Sequence, residues 1–200
     1  PYNQLTLLSD ILDAAKKVGA DAADAVVYNA ASLSVACRMG ELEKLERAES
    51  NDLGLRGIVG RRQAMVSSTD FEPSTLKEVV ERAVAMATAA PEDPYCGLAD
   101  PGQIVTDPPS IDICDNSEPA NEALIDAARA AEDAARAVPG ITNTEGAETG
   151  WSRAEIAIAA TNGFARTYST SSHSLAASVI AGEGTAMERD YDYTSAVYYD

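Results

Sequence analysis

Leu7, Leu8, Ile11, Leu12, Ala15 and Val18 recur at helical spacing and are followed by Gly19. That spacing predicts an amphipathic helix over residues 5–18, with glycine as its stop. The period then changes to two. Residues 24–31, 33–39, 41–49, 54–59 and 63–68 read as strands of an antiparallel set. A second helix is announced by Glu72-Pro73-Ser74, with Ser74 as the expected N-cap. Leu76, Val79, Val80, Ala83 and Met86 face inward, and Lys77, Glu78, Glu81 and Arg82 lie on the wet side.

Six prolines, at positions 91, 94, 101, 108, 109 and 119, then interrupt any periodicity and predict a connector or wrapped loop. Pro119 to Ala137 is an Ala-rich helix with Leu124, Ile125, Ala128 and Ala131 inward, ended by Pro139-Gly140. The remainder reads as a meander that stops without closing. Ser152–Thr161 alternates into Asn162-Gly163, which predicts a type I′ hairpin turn because both residues tolerate positive φ. Phe164–Ser171 is the return arm, Ser174–Ala181 a further strand, and Gly182-Glu183-Gly184 a turn into Met187–Thr194. In that last strand Glu188, Asp190 and Asp192 share one face, and Arg189, Tyr191 and Tyr193 the other. The expected fold is α+β: two consecutive units, each a helix packed on a mainly antiparallel sheet. Residues 1–90 form the first domain, 91–118 the Pro-rich connector and 119–200 the second domain.

Charge narrows the function classes. Fifteen basic residues stand against 32 acidic ones, a net charge of −17, which repels a phosphate backbone. Nucleic acid is therefore not an expected partner. Cys37, Cys96 and Cys114 are odd in number and form no CxxC, so free thiols in a reducing cytoplasm are expected. No apolar run approaches the 18 or so residues of a membrane helix, so no membrane partner is expected either.

Candidate chemistry is sparse. Metal hydrolysis needs several converging ligands and a base, as in HExxH, whereas His173 is the only histidine. It lies between two expected strands, as a polar turn or strand-edge residue or a contact to a partner or peptide. No GxSxG elbow supports a serine nucleophile, and the cysteines lie mid-strand or in the connector. Gly54-Leu55-Arg56-Gly57-Ile58-Val59-Gly60 lacks the following helix that a phosphate-cradling loop needs, so its glycines read as strand bends. Glu188, Arg189 and Asp190 are the densest charge cluster. They read as cross-strand salt bridges on a solvated sheet, or as contacts to a subunit or an extended peptide added at a strand edge.

Several segments in order carry a family resemblance. Gly19-Ala20-Asp21-Ala22-Ala23, Gly40-Glu41-Leu42-Glu43, Leu53-Gly54-Leu55-Arg56, Ser67-Ser68-Thr69-Asp70, the run Asp93 to Asp100, Ile141 to Gly146, Ser172 to Ala181 and Met187 to Thr194 are similar to the TldD/PmbA (modulator of DNA gyrase) metallopeptidase family. The last third resembles its TldE/PmbA branch, over the N-terminal and central regions. The resemblance implies a cytoplasmic peptidase assembly in which a TldD-like partner holds zinc or another divalent metal, while this subunit has no cofactor of its own. It also implies a further C-terminal domain, absent from these residues. Implied partners are the TldD-like subunit and an unfolded or extended peptide, with a homo-oligomer as a further option. Two alternatives stay open: a catalytic metallopeptidase whose metal site lies in that C-terminal part, and a stand-alone peptide-binding or scaffolding module.

Overall fold

A computed structural model describes residues 3–199. The first helix, α1 (Gln4–Lys17), starts where the Asn3 side chain accepts the Leu5 N–H at 3.1 Å and ends before Gly19 at φ 109°. Strands β1 (Ala22–Arg38), β2 (Glu41–Val59) and β3 (Arg62–Ser68) follow, then α2 (Pro73–Ala89). After the proline-rich stretch come α3 (Asn121–Arg136), β4 (Ile141–Ala160), β5 (Ala165–Ala181) and β6 (Glu188–Ala196). The sheet order is β3-β2-β1-β4-β5-β6, antiparallel at β2–β3 and β5–β6. The α+β class expected from the alternation of periods is what the chain adopts.

The strands are fewer and longer than expected. Residues 24–31 and 33–39 form one strand, as do 41–49 with 54–59, and the return arm from 164 with 174–181. Buried positions in β1 keep the same parity from Ala23 to Cys37, so backbone pairing runs unbroken through the polar and alanine-rich middle. Polar side chains by themselves do not end a strand, and these stretches hold neither glycine nor proline at the expected breaks. The turns also differ. Asn162 does not take positive φ; only Gly163 does, at 96°, in a loop longer than a two-residue type I′ turn. The two consecutive positive-φ residues instead are Met39 (53°) and Gly40 (79°), between β1 and β2. At α2 the N-cap is Glu72, not Ser74. Pro73 takes the first helical position, and Asp70 accepts the Glu72 N–H at 2.9 Å and the Thr75 hydroxyl at 2.7 Å.

Two compact units divide the contacts. One holds the residues up to Asn29, Ser50–Ile111 and Glu155–Tyr168, and the other Ala30–Glu49, Asp112–Ala154 and those from Ser169 onward. Strands β1, β2, β4 and β5 supply residues to both. In the first unit α1 and α2 bury Leu8, Ile11, Val79, Val80 and Ala83 with Val27, Leu53 and Leu55 of the sheet. In the second, Leu124 and Ala128 of α3 pack on Leu33, Val35, Cys37, Ala147 and Trp151. Fully burying one such Leu or Val contributes ~1.5–3 kcal/mol, so each helix is held mainly by its apolar face. Among the described residues no helix is long and apolar enough to cross a membrane.

Candidate functional site

The second unit contains a buried carboxylate. Glu132 occupies the stripe position one turn beyond Leu124 and Ala128 and is 0% exposed. Its two oxygens accept the backbone N–H of Met39 at 2.7 Å and of Gly40 at 2.9 Å. Arg129, one turn earlier, donates from Nε to the Gly40 carbonyl at 3.0 Å. Burial pushes the Glu132 carboxyl upward, but the two amides, the Thr144 hydroxyl and the Arg136 charge outweigh it, so the group titrates below its ordinary value. The same bonds hold Met39 in a left-handed conformation that a side chain normally avoids.

Beside this tie, the in–out alternation of β4 shifts by one residue. Thr144, Gly146 and Ala147 are all buried while Glu145 and Glu148 are exposed, the pattern of a β-bulge with Gly146 at φ 103°. A Cβ on Gly146 would lie 2.5 Å from the Cys37 carbonyl oxygen, so only glycine fits. Glu145 lies within reach of Ser178 of β5, whose hydroxyl donates to Glu145 Oε2 at 2.8 Å. Arg189 of β6 completes the row, with Nε 2.5 Å from Glu145 Oε2 and 3.1 Å from the Ser178 oxygen. The salt bridge expected at Arg189 thus spans three strands, linking β6 to β4 through β5.

His173 is not in a turn. It lies within β5, 7% exposed, with its ring against Tyr199 in an edge arrangement at 5.4 Å. Its Nε2 lies 3.5 Å from Asp115 Oδ2, and neither ring nitrogen makes a hydrogen bond among the described residues. Ser171, two residues earlier on the same face, accepts the Asp115 N–H at 2.7 Å and donates to the Val197 carbonyl at 3.0 Å. The segment around Asp115 and the residues 197–199 are thereby strapped onto β5. Ser117 hydrogen bonds and, more weakly, the Tyr199 backbone and His173 lower the Asp115 carboxyl below its usual range. Ser171 is 6% exposed and its hydroxyl is engaged with the Asp115 and Val197 backbone, so it ties backbone segments together and is not presented as a nucleophile.

These sequence-singled residues do not converge. His173 pairs with Ala196 and Arg189 with Ile180, so along β5 they are seven positions apart (180 − 173), about 23 Å at ~3.3 Å per residue. Glu188, Arg189 and Asp190 do sit together on β6, all exposed, opposite Ala181, Ile180 and Val179. The sequence reading singles out neither Glu132 nor Asp115, and Gly146 only as the end of the resembling segment Ile141 to Gly146. For Glu132 the signal was present, a charged residue at i, i+4, i+8 from two apolar ones. For Asp115 no local signal exists. Among the described residues no group of three or more His, Cys, Asp or Glu is placed to hold a metal ion, so the donors here do not fit such a site.

Known proteins resemble this geometry and sequence. Residues 23–87 match PmbA/TldA metallopeptidase domain 1, and residues 114–200 the PmbA/TldA metallopeptidase central domain. The metalloprotease PmbA of Escherichia coli O157:H7 is 34% identical over 175 residues, covering 87% of this chain and 39% of that protein. The PmbA homolog of Haemophilus influenzae is 30% identical over 194 residues, covering 96% of this chain and 43% of that protein. The chain therefore spans less than half the length of these curated relatives. Two solved structures share the fold. A Bacteroides thetaiotaomicron protein described as a candidate modulator of DNA gyrase aligns with TM-score 0.88 at 23% identity, over 97% of this chain and 45% of that one. TldE from Thermococcus kodakarensis aligns with TM-score 0.78 at 17% identity, over 96% and 43%.

Proposed function

This chain belongs to the PmbA/TldD metallopeptidase family, and from that premise we propose that it is the N-terminal and central part of a TldE/PmbA-like subunit of a cytoplasmic two-component peptidase. The subunit is non-catalytic; a TldD-like partner holds the divalent metal, and this chain contributes assembly and confinement of an extended peptide. The observation that carries the reading is the donor set: a family named for metal-dependent proteolysis is represented by two matched domains with a single histidine, itself buried against Asp115 and Tyr199. The exposed edge strand β6, with Glu188, Arg189 and Asp190, supplies the peptide or subunit contact. His173, buried beside Asp115 and Tyr199 at the other end of β5, is a packing residue under the Asp115 segment in this reading and makes no direct peptide contact. As a division of the sequence we keep 1–90, 91–118 and 119–200; the two family matches cover 23–87 and 114–200, the second beginning inside the expected connector.

The test uses the full-length protein and a TldD-like subunit, purified separately and together. Peptide hydrolysis only when the TldD-like subunit is present, with co-elution of the two, is the expected result. The curated relatives' description as metalloproteases favours a second reading, in which the complete protein binds its own metal through residues outside these 200. Stoichiometric metal and hydrolysis in the full-length protein alone would establish that second reading and overturn the first.

A further inference from the structure

Strand β6 is the last in the sheet order, so one of its long sides lacks a neighbouring strand among the described residues. Such an edge offers a row of outward amides and carbonyls to any extended chain. Here two of those amides are covered by the strand's own acids. The Tyr191 N–H donates to Asp190 Oδ1 at 2.9 Å, and the Tyr193 N–H to Asp192 Oδ1 at 2.8 Å. Two residues apart in a strand, these amides point the same way. A chain joining the edge takes both amides with its own carbonyls, which leaves the exposed Asp190 and Asp192 carboxylates free to meet a cationic side chain of that chain.

The two faces of β6 say what that partner is. Asp190 and Asp192 pair with Val179 and Ala177, with Glu188 in the same row, while Arg189, Tyr191 and Tyr193 pair with Ile180, Ser178 and Ala176 on the other side. Tyr191 is 64% and Tyr193 70% exposed, an aromatic row with nothing described across it. A second copy of the strand does not suit this edge. Any antiparallel register centred on Asp190, Tyr191 or Asp192 sets carboxylates opposite carboxylates, which is destabilising. The net charge of −17 adds to that repulsion.

We infer that the β6 edge receives an extended peptide whose alternate side chains are basic and apolar, the basic ones facing Asp190 and Asp192 and the aromatic or β-branched ones facing Tyr191 and Tyr193. The exchange is self-consistent: peptide carbonyls take the two amides, and peptide ammonium or guanidinium groups take the two released carboxylates. This inference rests on the peptide-handling reading above and adds the substrate class.

The experiment measures binding of fluorescent peptides to the full-length protein by anisotropy. One peptide alternates lysine with valine and phenylalanine over nine residues, the length of β6. A second has the same composition with its lysines in one block, and a third carries N-methyl groups on alternate amides. The alternating peptide is expected to bind about tenfold more tightly than the blocked one, the order of two favourable cross-strand pairs. N-methylation should abolish that binding. Asp190→Asn together with Asp192→Asn should erase the preference for alternating lysines, and Tyr191→Ser with Tyr193→Ser the preference for aromatic partners. Equal binding of alternating and blocked peptides overturns the inference and leaves peptide handling intact. Absence of binding by every peptide overturns both. Dimerisation of the Asn variant in sedimentation, with peptide discrimination unchanged, also overturns the inference, because the acids would then serve only to keep copies apart.

Discussion

Glu132 accepts the backbone N–H of Gly40 at 2.9 Å and in doing so fastens the C-terminal part of α3 to the tip of the β1–β2 hairpin. The neighbouring Met39 N–H goes to the other oxygen of the same carboxylate. Removing the carboxylate leaves two amides at a partly buried turn without their partner. Glu132→Ala is expected to lower stability by about 2–4 kcal/mol and Glu132→Gln by roughly half that, measured by urea unfolding.

The same carboxylate gives a pH signature of fixed sign. Its folded-state pKa is lowered, so its contribution is fully present above the unfolded value of about 4.3 and is lost as pH falls through the lower folded value. Asp70 and Asp115 are lowered in the same direction and stay in both proteins. Subtracting the stability curve of Glu132→Gln from that of the wild type between pH 3 and 6 should therefore leave a difference that shrinks as pH falls. A flat difference would show that Glu132 titrates normally.

Met39 tests whether the carboxylate supports a strained turn. At φ 53° its side chain costs about 1 kcal/mol, which glycine removes at a somewhat smaller entropic cost. Met39→Gly should thus be neutral to slightly stabilising. In a double-mutant cycle it should reduce the loss caused by Glu132→Ala; additive effects would show that the two are independent.

Gly146 admits no side chain, because a Cβ would meet the Cys37 carbonyl oxygen at 2.5 Å and the residue sits at φ 103°. Gly146→Ala is expected to cost about 3 kcal/mol, the sum of overpacking and left-handed strain, and to lower Tm by roughly 6–12 °C. Gly163, also at positive φ but with nothing within 4 Å of a Cβ, should lose only about half as much on the same change. Equal melting shifts would assign the cost to φ alone.

Arg189 is 61% exposed and Glu145 41%, so their bridge contributes little to folding. Arg189→Ala is expected to change stability by less than about 1 kcal/mol in thermal unfolding. Loss of co-elution with a TldD-like subunit in that variant, with unfolding unchanged, would assign Arg189 to the interface; unchanged co-elution and peptide binding would leave it a surface ion pair.

Local periodicity determined a good deal of this protein. Leu8, Ile11 and Leu12 at helical spacing, Leu53 and Leu55 in alternation, and the Pro139-Gly140 stop each report a choice that nearby residues make by themselves, and α1, α2, α3 and most strand segments fall where those patterns put them. The faces of β6 were legible for the same reason, since a period of two needs no knowledge of what lies across the sheet. Only the tertiary structure decided the rest. Strand breaks expected near Ser32, Ser50 and Ser172 are absent because pairing partners, not side-chain polarity, decide where a ladder ends. The left-handed Met39 is held by Glu132, which lies 93 positions further along the chain, and His173 became an interior residue because Asp115 and Tyr199 come to it from the connector and from the far end of the described chain. Contacts of that separation are chosen by packing, and the composition around either partner does not encode them.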